Sequence, residues 1–384
     1  MIPAGKQQMQ FRSLIFVFSL ISAACLPAIA QTVPAAQSGH SDSIAYEPRV
    51  LPKPAGKNKK GKNVASAKEP ASVGRAGPNA IREISLTLPV SVIDGKGQLV
   101  TDLRQSDFEV YLDQTKAEIR SFGVNSEPAT VIFLIDVSPS ATFDAKAVQQ
   151  QVLKVLDDVR PDDKVWMIAF DSSLRILGEP TADRSLLRKY ASKLRMGQGT
   201  SIYEAIKNLF EKQILRIAGR KAVVLFTDGV DTTSEHATYE TSLVAAEKAA
   251  VPVFVVYLDT SAQASKATIR FSPGAFVTSL PPEIFEAIRR SAGRAYSPQI
   301  VQAEYEYGKL YLNDLVFLSG GRAMRSEQIG TDEVPAGVGT HMGKEYELNV
   351  TAKINAVAGE RVQVRVRVKR PDLAVMARGS FIVE

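Results

Sequence analysis

Three short polar segments of the chain carry carboxylate and hydroxyl side chains of the kind that bind a hard metal ion. The first, Asp136-Val137-Ser138-Pro139-Ser140, and the last, Thr227-Asp228-Gly229, each directly follow an apolar run. A glycine-containing segment, 197–201, lies between them. The candidate ligands are the side-chain oxygens of Asp136, Ser138, Ser140, Thr200 and Asp228. Carboxylates and hydroxyls together suit Mg²⁺ or Mn²⁺ better than Ca²⁺, and they do not suit zinc.

These donors would leave part of an octahedral coordination shell open. At least one position would remain for water or for an incoming carboxylate. Two carboxylates brought close together also repel each other unless a cation lies between them. The residue types therefore predict a divalent cation site that can accept one more oxygen ligand.

A plainer interpretation of the same residues has to be kept beside this one. Ser and Asp after strands are common as helix N-caps, and Asp136 or Asp228 alone would more often be a cap or a turn residue. The presence of all five residues in the expected order argues against coincidence. A fold of this kind that no longer binds metal remains an alternative. We expect Asp171-Ser172 to be an ordinary turn, and 94–97 to be a hairpin turn rather than a calcium loop.

The elements that would position these residues alternate between strands and helices. Segments 131–135, 222–226 and 251–258 are unbroken apolar runs, typical of strands buried on both faces of a parallel sheet. Further strands are expected at 165–170 and 174–177, and helices at 145–159, 183–194, 201–212, 239–249 and 305–318. This order predicts an α/β fold with a doubly wound, mostly parallel sheet. Ligands of such sheets bind at the carboxyl ends of strands where the strand order reverses.

Strand-like segments flank this α/β region on both sides. Strands are expected at 85–93, 98–102, 108–112 and 118–122 before it, and at 346–353, 361–369 and 374–383 after it. Each set is too small to be stable alone. We therefore expect the N-terminal segment 81–127 to pair with the C-terminal segment 340–384 in a small β-sandwich.

The metal-ligand pattern resembles that of a known family. Asp136-x-Ser138-x-Ser140, then Thr200, then Asp228 is similar to the metal-ion-dependent adhesion site (MIDAS) of von Willebrand factor A and integrin I domains, over residues 128–325. The resemblance implies that the serines and often the threonine touch the metal, that the aspartates act largely through water, and that a partner's Glu or Asp takes the sixth position. Pro139 stands where glycine is commonest, and the insertion 260–305 is unusual.

A narrower resemblance extends beyond the α/β region. Segments 90–93, 100–103, 107–110 and 370–379 are similar to the VWFA-related secreted proteins abundant in Acidobacteria. That family lacks a known activity, so the likeness implies architecture more than function.

The function expected from these residues is binding rather than catalysis. The histidines are His40, His236 and His341, none in a catalytic motif, and no G-x-S-x-G, H-E-x-x-H or P-loop occurs. We expect an adhesion module that captures an Asp or Glu of a protein partner, and no enzyme. The alternatives are a cell-envelope scaffold whose metal stabilises the fold, and a metal-dependent hydrolase.

The N-terminal residues predict export from the cytoplasm. A basic start, the apolar run 14–26 and Ala28-Ile29-Ala30 are typical of a signal peptide, 1–30, cleaved after Ala30. A lipoprotein signal at Cys25, the only cysteine, or an uncleaved anchor are the alternatives, and they are the only membrane association expected. We expect a secreted, periplasmic or cell-envelope protein.

The charge of the chain does not predict nucleic-acid binding. The formal net charge is +6, but several lysines fall in the Pro- and Ala-rich segment 31–80, which we expect to be a disordered linker. A basic tail on a nearly neutral body accounts for this balance. Oligomeric state and partner identity are not indicated by the sequence.

Overall fold

The computed structural model describes two groups of elements, an α/β region and a set of antiparallel strands. The described residues are 81–138, 145–260, 298–325, 337, 339, 342 and 344–384. The expected signal peptide 1–30, the linker 31–80, the helix expected at 283–291 and the predicted ligand Ser140 lie outside these residues.

The α/β region contains a six-stranded sheet in the order β6-β5-β4-β7-β8-β9. Its strands are β4 (Ala129–Asp136), β5 (Lys164–Phe170), β6 (Leu174–Ile176), β7 (Arg220–Thr227), β8 (Val253–Tyr257) and β9 (Arg322–Arg325). All neighbours are parallel except β6, which is an antiparallel edge strand. The helices are α1 (Ala145–Asp158), α2 (Arg184–Ala191), α3 (Ile202–Asn208), α4 (Tyr239–Ala249) and α5 (Pro298–Ser319).

Helices cover both faces of this sheet, which explains the unbroken apolar runs. Every residue of β4 is buried. Its alternate side chains enter two separate cores: Ile132 and Leu134 pack with residues of α3, α4 and α5, whereas Val131 and Phe133 pack with residues of α1 and α2. The expected doubly wound α/β fold is confirmed.

The strands that precede the α/β region in the sequence pair with the strands that follow it. They form one seven-stranded antiparallel sheet in the order β12-β1-β10-β3-β2-β11-β13. Its strands are β1 (Ile81–Ile93), β2 (Phe108–Leu112), β3 (Thr115–Asn125), β10 (Glu345–Asn355), β11 (Arg361–Val368), β12 (Ala374–Met376) and β13 (Ser380–Ile382). The sheet curls around its own core, which includes Leu88, Val110, Tyr346 and Val362.

Two arginine side chains, Arg220 of β7 and Arg361 of β11, connect the two sheets. Arg220, at the start of β7, donates to the Glu127 carbonyl at 2.7 Å, just before β4, and pairs with Glu345 of β10. Arg361 of β11 forms a two-point ion pair with Glu247, a fully buried residue of α4. These contacts tie the ends of β4, β7 and α4 to the second sheet.

The structure corrects the bounds of several predicted elements. Residues 98–102 form a single bridge, Ile93 to Leu99, and no strand. The main-chain pairing ends at Val100, whose N–H donates to the Val92 carbonyl at 2.8 Å. Beyond it the Tyr346 hydroxyl accepts from the Leu103 N–H at 3.0 Å and donates to the Val100 carbonyl at 2.9 Å.

Helix boundaries differ for a packing reason. The α-helix expected over 201–212 ends at Asn208. The chain continues as a π-helical turn, Leu209–Gln213, and then as a 3₁₀-helical turn, Ile214–Arg216. This change keeps Leu209, Phe210 and Ile214 in the core. Helix α5 begins before the expected residue 305, and β9 was not predicted. No helix among the described residues has the length and apolar character needed to cross a membrane.

Candidate metal centre

The two predicted carboxylate ligands lie at neighbouring strand ends. Strands β4 and β7 are parallel, with Ile135 opposite Phe226, so Asp136 at the end of β4 faces Thr227 at the end of β7. The chain leaves β4 toward β5 on one side, whereas β7 and β8 lie on the other. Asp136 and Asp228 therefore lie at the point where the strand order reverses, where α/β sheets bind ligands.

The Asp136 carboxylate is buried and held at both oxygens. Oδ1 accepts from the Ser138 N–H at 2.9 Å, and Oδ2 accepts from the Thr227 hydroxyl at 2.7 Å. The Thr227 hydroxyl in turn accepts from the Gly229 N–H at 3.0 Å. The loop after β7 therefore orients the carboxylate at the end of β4.

The Asp228 carboxylate is held in the same way by the next strand. Oδ1 accepts from the Val230 N–H at 3.0 Å, and Oδ2 accepts from the Thr260 hydroxyl at 2.7 Å. The side chain of Asp228 is buried. Each carboxylate thus receives a main-chain N–H from two residues further on and a threonine hydroxyl from the adjacent parallel strand: Thr227 is the last residue of β7, and Thr260 lies just beyond β8.

The electrostatics of the pair favour a cation. Burial, and next the charge of Asp228, raise the pKa of Asp136 to about 7, while hydrogen bonds from Ser138 and Thr227 oppose the shift. No Lys or Arg in the described part of the chain forms an ion pair with Asp136. Two adjacent buried carboxylates repel, and a bound cation would relieve that repulsion.

Ser138 is the least satisfied polar side chain at the site. It is only 3% exposed. Its hydroxyl lies near enough to Asp136 to oppose the rise in the pKa of that carboxyl, but it makes no hydrogen bond of normal geometry with a described residue. A buried hydroxyl without a partner costs about 1–3 kcal/mol. A metal ion bound at this oxygen would remove that cost, as the predicted role of Ser138 requires.

Thr200 reaches the same edge of the sheet on a loop that is held from two sides. Its N–H donates to the Thr232 hydroxyl at 2.8 Å, and its carbonyl accepts from the Thr232 N–H at 2.7 Å. The Gly197 N–H, from the same loop, donates to the Val137 carbonyl at 2.7 Å. None of these bonds uses the Thr200 hydroxyl, which leaves its side chain for a ligand.

The donor set fits a hard divalent cation. The candidate ligands among the described residues are two carboxylates, from Asp136 and Asp228, and two hydroxyls, from Ser138 and Thr200, all of them buried. No cluster of three or more His, Cys, Asp or Glu side chains that could hold a metal occurs in the described ranges. Oxygen donors with few charges suit Mg²⁺ or Mn²⁺ and leave room for a further acidic ligand.

The two segments expected to form ordinary turns, at Asp171 and at Asp94, lie after other strands. Asp171 follows β5, accepts from the Ser173 N–H at 2.9 Å and pairs with Arg175 at 3.3 Å. Asp94 accepts from the N–H groups of Lys96 and Gln98, both at 2.9 Å, in the turn after β1. Asp171 therefore resembles Asp136 in position, but its charge is already paired.

Sequence reasoning missed Thr260 and Tyr305, which support Asp228. The signal for Thr260 is its place just beyond the buried parallel strand β8, close to the position of Thr227 at the end of the preceding strand β7. Nothing in the local sequence indicates that Tyr305, 45 residues further on, bonds to it.

Comparison with known proteins agrees with the fold. Residues 131–230 match the family model of the von Willebrand factor type A domain. This segment runs from β4 through the loop after β7 and includes all the predicted metal ligands. The chain therefore contains a von Willebrand factor type A domain. No curated protein matches the chain.

The solved structures that match part of this chain come from several organisms. A von Willebrand factor type A protein from Catenulispora acidiphila has 11% identity and a TM-score of 0.38, covering 81% of this chain and 75% of its own. An aerotolerance-related membrane protein from Bacteroides fragilis has 18% identity and a TM-score of 0.35, covering 54% and 98%. The mussel byssus proximal thread matrix protein 1, solved with a zinc-occupied MIDAS motif, has 11% identity and a TM-score of 0.37, covering 61% and 50%. At these scores the structures carry no argument about function.

Proposed function

We propose that this protein binds a divalent cation, Mg²⁺ or Mn²⁺, and uses it to capture an acidic side chain of a protein partner outside the cytoplasm. The proposed ligands are Asp136, Ser138, Ser140, Thr200 and Asp228. Export is proposed from the signal-like residues 1–30 alone.

The unpartnered hydroxyl of Ser138 is the observation that carries the proposal. It lies two residues after a buried carboxylate whose pKa is raised and whose charge no described Lys or Arg balances. In the folded protein both costs, the unpartnered hydroxyl and the unbalanced carboxylate, therefore occur at the same site. At the next strand end, by contrast, Asp171 is paired with Arg175. A cation bound by Ser138 and the two aspartates would remove both costs together.

An acidic partner is proposed from the composition of the ligand set. Five protein oxygens leave an octahedral ion at least one open position, and two carboxylates only balance the charge of a divalent ion. Among common protein side chains, a carboxylate is the strongest ligand for that position. None of the three histidines lies in a recognisable catalytic motif, so a binding role is favoured over hydrolysis.

Calorimetric titration of Mg²⁺ and Mn²⁺ into the mature protein tests the metal step. Ser138→Ala should weaken binding at least about tenfold without lowering the stability of the metal-free protein, because it removes an unsatisfied group. Asp171→Asn is the matched control: a buried aspartate at the next strand end, outside the proposed ligand set. Wild-type protein that binds neither ion, or a Ser138→Ala variant that binds as well as wild type, would contradict the proposal.

An array of immobilised peptides tests the capture step. Each Asp or Glu peptide is compared with its Asn or Gln counterpart, in Mn²⁺ and in EDTA. Retention that needs both the carboxylate and the metal, and that Asp136→Asn abolishes, is the expected result. If the metal stabilises the fold and no carboxylate peptide is retained, the scaffold alternative is favoured. Turnover on a hydrolase panel that EDTA removes would revive the enzyme alternative.

A further inference from the structure

A threonine and a tyrosine outside the predicted ligand set form a hydrogen-bonded pair behind Asp228. Thr260 lies just beyond β8, is 1% exposed, and donates to Asp228 Oδ2 at 2.7 Å. The hydroxyl of Tyr305, a buried residue of α5, bonds to the same Thr260 hydroxyl. Asp228 is therefore connected to helix α5 through two hydroxyl groups.

The direction of these two bonds follows from the chemistry of the groups. An ionised carboxylate only accepts, so the single proton of the Thr260 hydroxyl points at Asp228. Tyr305 must then be the donor in its bond with Thr260. In a buried chain of this kind each bond polarises the next, so the tyrosine strengthens the bond from Thr260 to the carboxylate.

The support of Asp136 provides a comparison within the same site. There the Gly229 N–H donates to Thr227, and Thr227 donates to Asp136. The arrangement is the same, but its first donor is a main-chain group only two residues from Thr227. For Asp228 the first donor is a side chain of α5, so its support depends on where that helix lies.

We infer that Thr260 and Tyr305 are positioning residues that hold the Asp228 carboxylate in one orientation for the cation. This inference rests on the proposed metal site. With the Val230 N–H on Oδ1 and Thr260 on Oδ2, the carboxylate cannot rotate without breaking a buried hydrogen bond. Loss of the threonine hydroxyl would free that rotation, so the carboxylate would have to be ordered when the cation binds and metal binding would weaken.

Free Mn²⁺ measured by electron paramagnetic resonance gives the affinity of each variant. Thr260→Val, which keeps the shape and removes the hydroxyl, should weaken Mn²⁺ binding about tenfold, the usual effect of losing a hydrogen bond to a charged group. Thr260→Ser should restore nearly wild-type affinity. Tyr305→Phe should weaken binding in the same direction by a smaller factor.

Tyr311→Phe is the matched control for the tyrosine. Tyr311 lies on the same helix, is buried, and bonds to the Ser242 hydroxyl at 2.9 Å, away from the site. Its removal should lower stability about as much as Tyr305→Phe and leave the Mn²⁺ affinity unchanged. Urea unfolding of each variant in EDTA measures that stability, so a general loss of folding is separated from an effect on the metal.

The outcomes separate this inference from the proposed function. If wild-type protein binds Mn²⁺ and Thr260→Val binds it equally well, the positioning role is wrong and the metal site stands. Equal weakening in Thr260→Val and Thr260→Ser would also overturn the inference, because the hydroxyl would then have no part. Wild-type protein that binds no Mn²⁺ overturns both.

Discussion

The Thr227 hydroxyl donates to Asp136 across the boundary between β7 and β4, with 2.7 Å between the oxygens. A residue of one loop thereby holds the carboxylate of another, and the Gly229 N–H completes the chain at 3.0 Å. The TDG segment therefore contributes to the site twice, through the Asp228 carboxylate and through the orientation of Asp136.

Replacing Thr227 with Val should lower the stability of the metal-free protein. The change removes the donor to Oδ2 of the buried Asp136 carboxylate and the acceptor of the Gly229 N–H, which should cost about 2 kcal/mol. Urea unfolding in EDTA at pH 8 measures the loss, and Thr227→Ser should be close to wild type. Equal stability of the Val and Ser variants would show that the hydroxyl contributes nothing.

Replacing Asp136 with Asn should stabilise the metal-free protein at high pH. Burial and the charge of Asp228 raise the pKa of Asp136 to about 7, so the folded state holds its proton more tightly than the unfolded chain does. Wild-type stability should consequently fall as pH rises from 5 to 8. The variant should lose most of that slope and be more stable than wild type at pH 8 by at least about 1 kcal/mol.

Asp171→Asn is the control for this pH series. It removes a buried carboxylate that already pairs with Arg175, so no gain at pH 8 is expected. Unfolding curves at several pH values, all in EDTA, make the comparison. A similar gain in both variants would indicate a general effect of net charge rather than the repulsion between Asp136 and Asp228.

Replacing Gly229 with Ala should disturb the site through helix α5. Gly229 has a φ of +82°, and an added Cβ would lie 2.9 Å from the Gly308 carbonyl oxygen of α5. We expect a loss of at least about 1 kcal/mol and weaker Mn²⁺ binding, because the loop that carries Asp228 must shift. Gly219→Ala, with a φ of +75° and open space around the Cβ, shares only the backbone strain and should leave Mn²⁺ binding intact. Equal Mn²⁺ affinities in the two variants would contradict the role assigned to the α5 contact.

Breaking the ion pair between Arg361 and Glu247 should destabilise the connection between the two sheets. Arg361→Met leaves the fully buried Glu247 with only the Ser380 hydroxyl as a side-chain partner, which should cost about 3 kcal/mol. Adding Glu247→Gln to that variant should recover part of the loss. The exposed pair of Arg120 and Glu118 is the comparison, and its removal should cost under about 1 kcal/mol. A single Arg361→Met variant as stable as wild type in urea would show that the pair is not needed.

The central strands β4, β5, β7 and β8 of the α/β region could be predicted because they are buried on both faces. Continuous apolar runs at 131–135 and 222–226 appear as β4 and β7, and the polar residues directly after them fall at one edge of the sheet. The five candidate metal ligands were predicted from the same pattern of polar residues after buried strands. Four of them lie at that edge of the sheet, and Ser140 lies outside the described residues.

Errors occurred where a non-local contact overrides the local pattern. Residues 98–102 have strand-like composition, but the pairing with β1 ends at Val100, and the Tyr346 hydroxyl bonds to the Val100 carbonyl and the Leu103 N–H instead of a partner strand. Strand β9 has only four residues and exists because it pairs with β8, which ends more than 60 residues earlier. Neither contact leaves a trace in the neighbouring sequence.

The sequence alone determined the alternation of strands and helices, the pairing of two flanking β segments, and the oxygen donors that follow β4 and β7. These depend on burial and on residue type, which are written into short stretches of chain. Only the tertiary structure decided how the donors are held: Thr227 on Asp136, Thr260 and Tyr305 on Asp228, and Glu247 on Arg361. A hydroxyl or an arginine side chain can bond to many partners. Its actual partner is decided when the folded chain brings one group within about 3 Å of it and excludes water from the site.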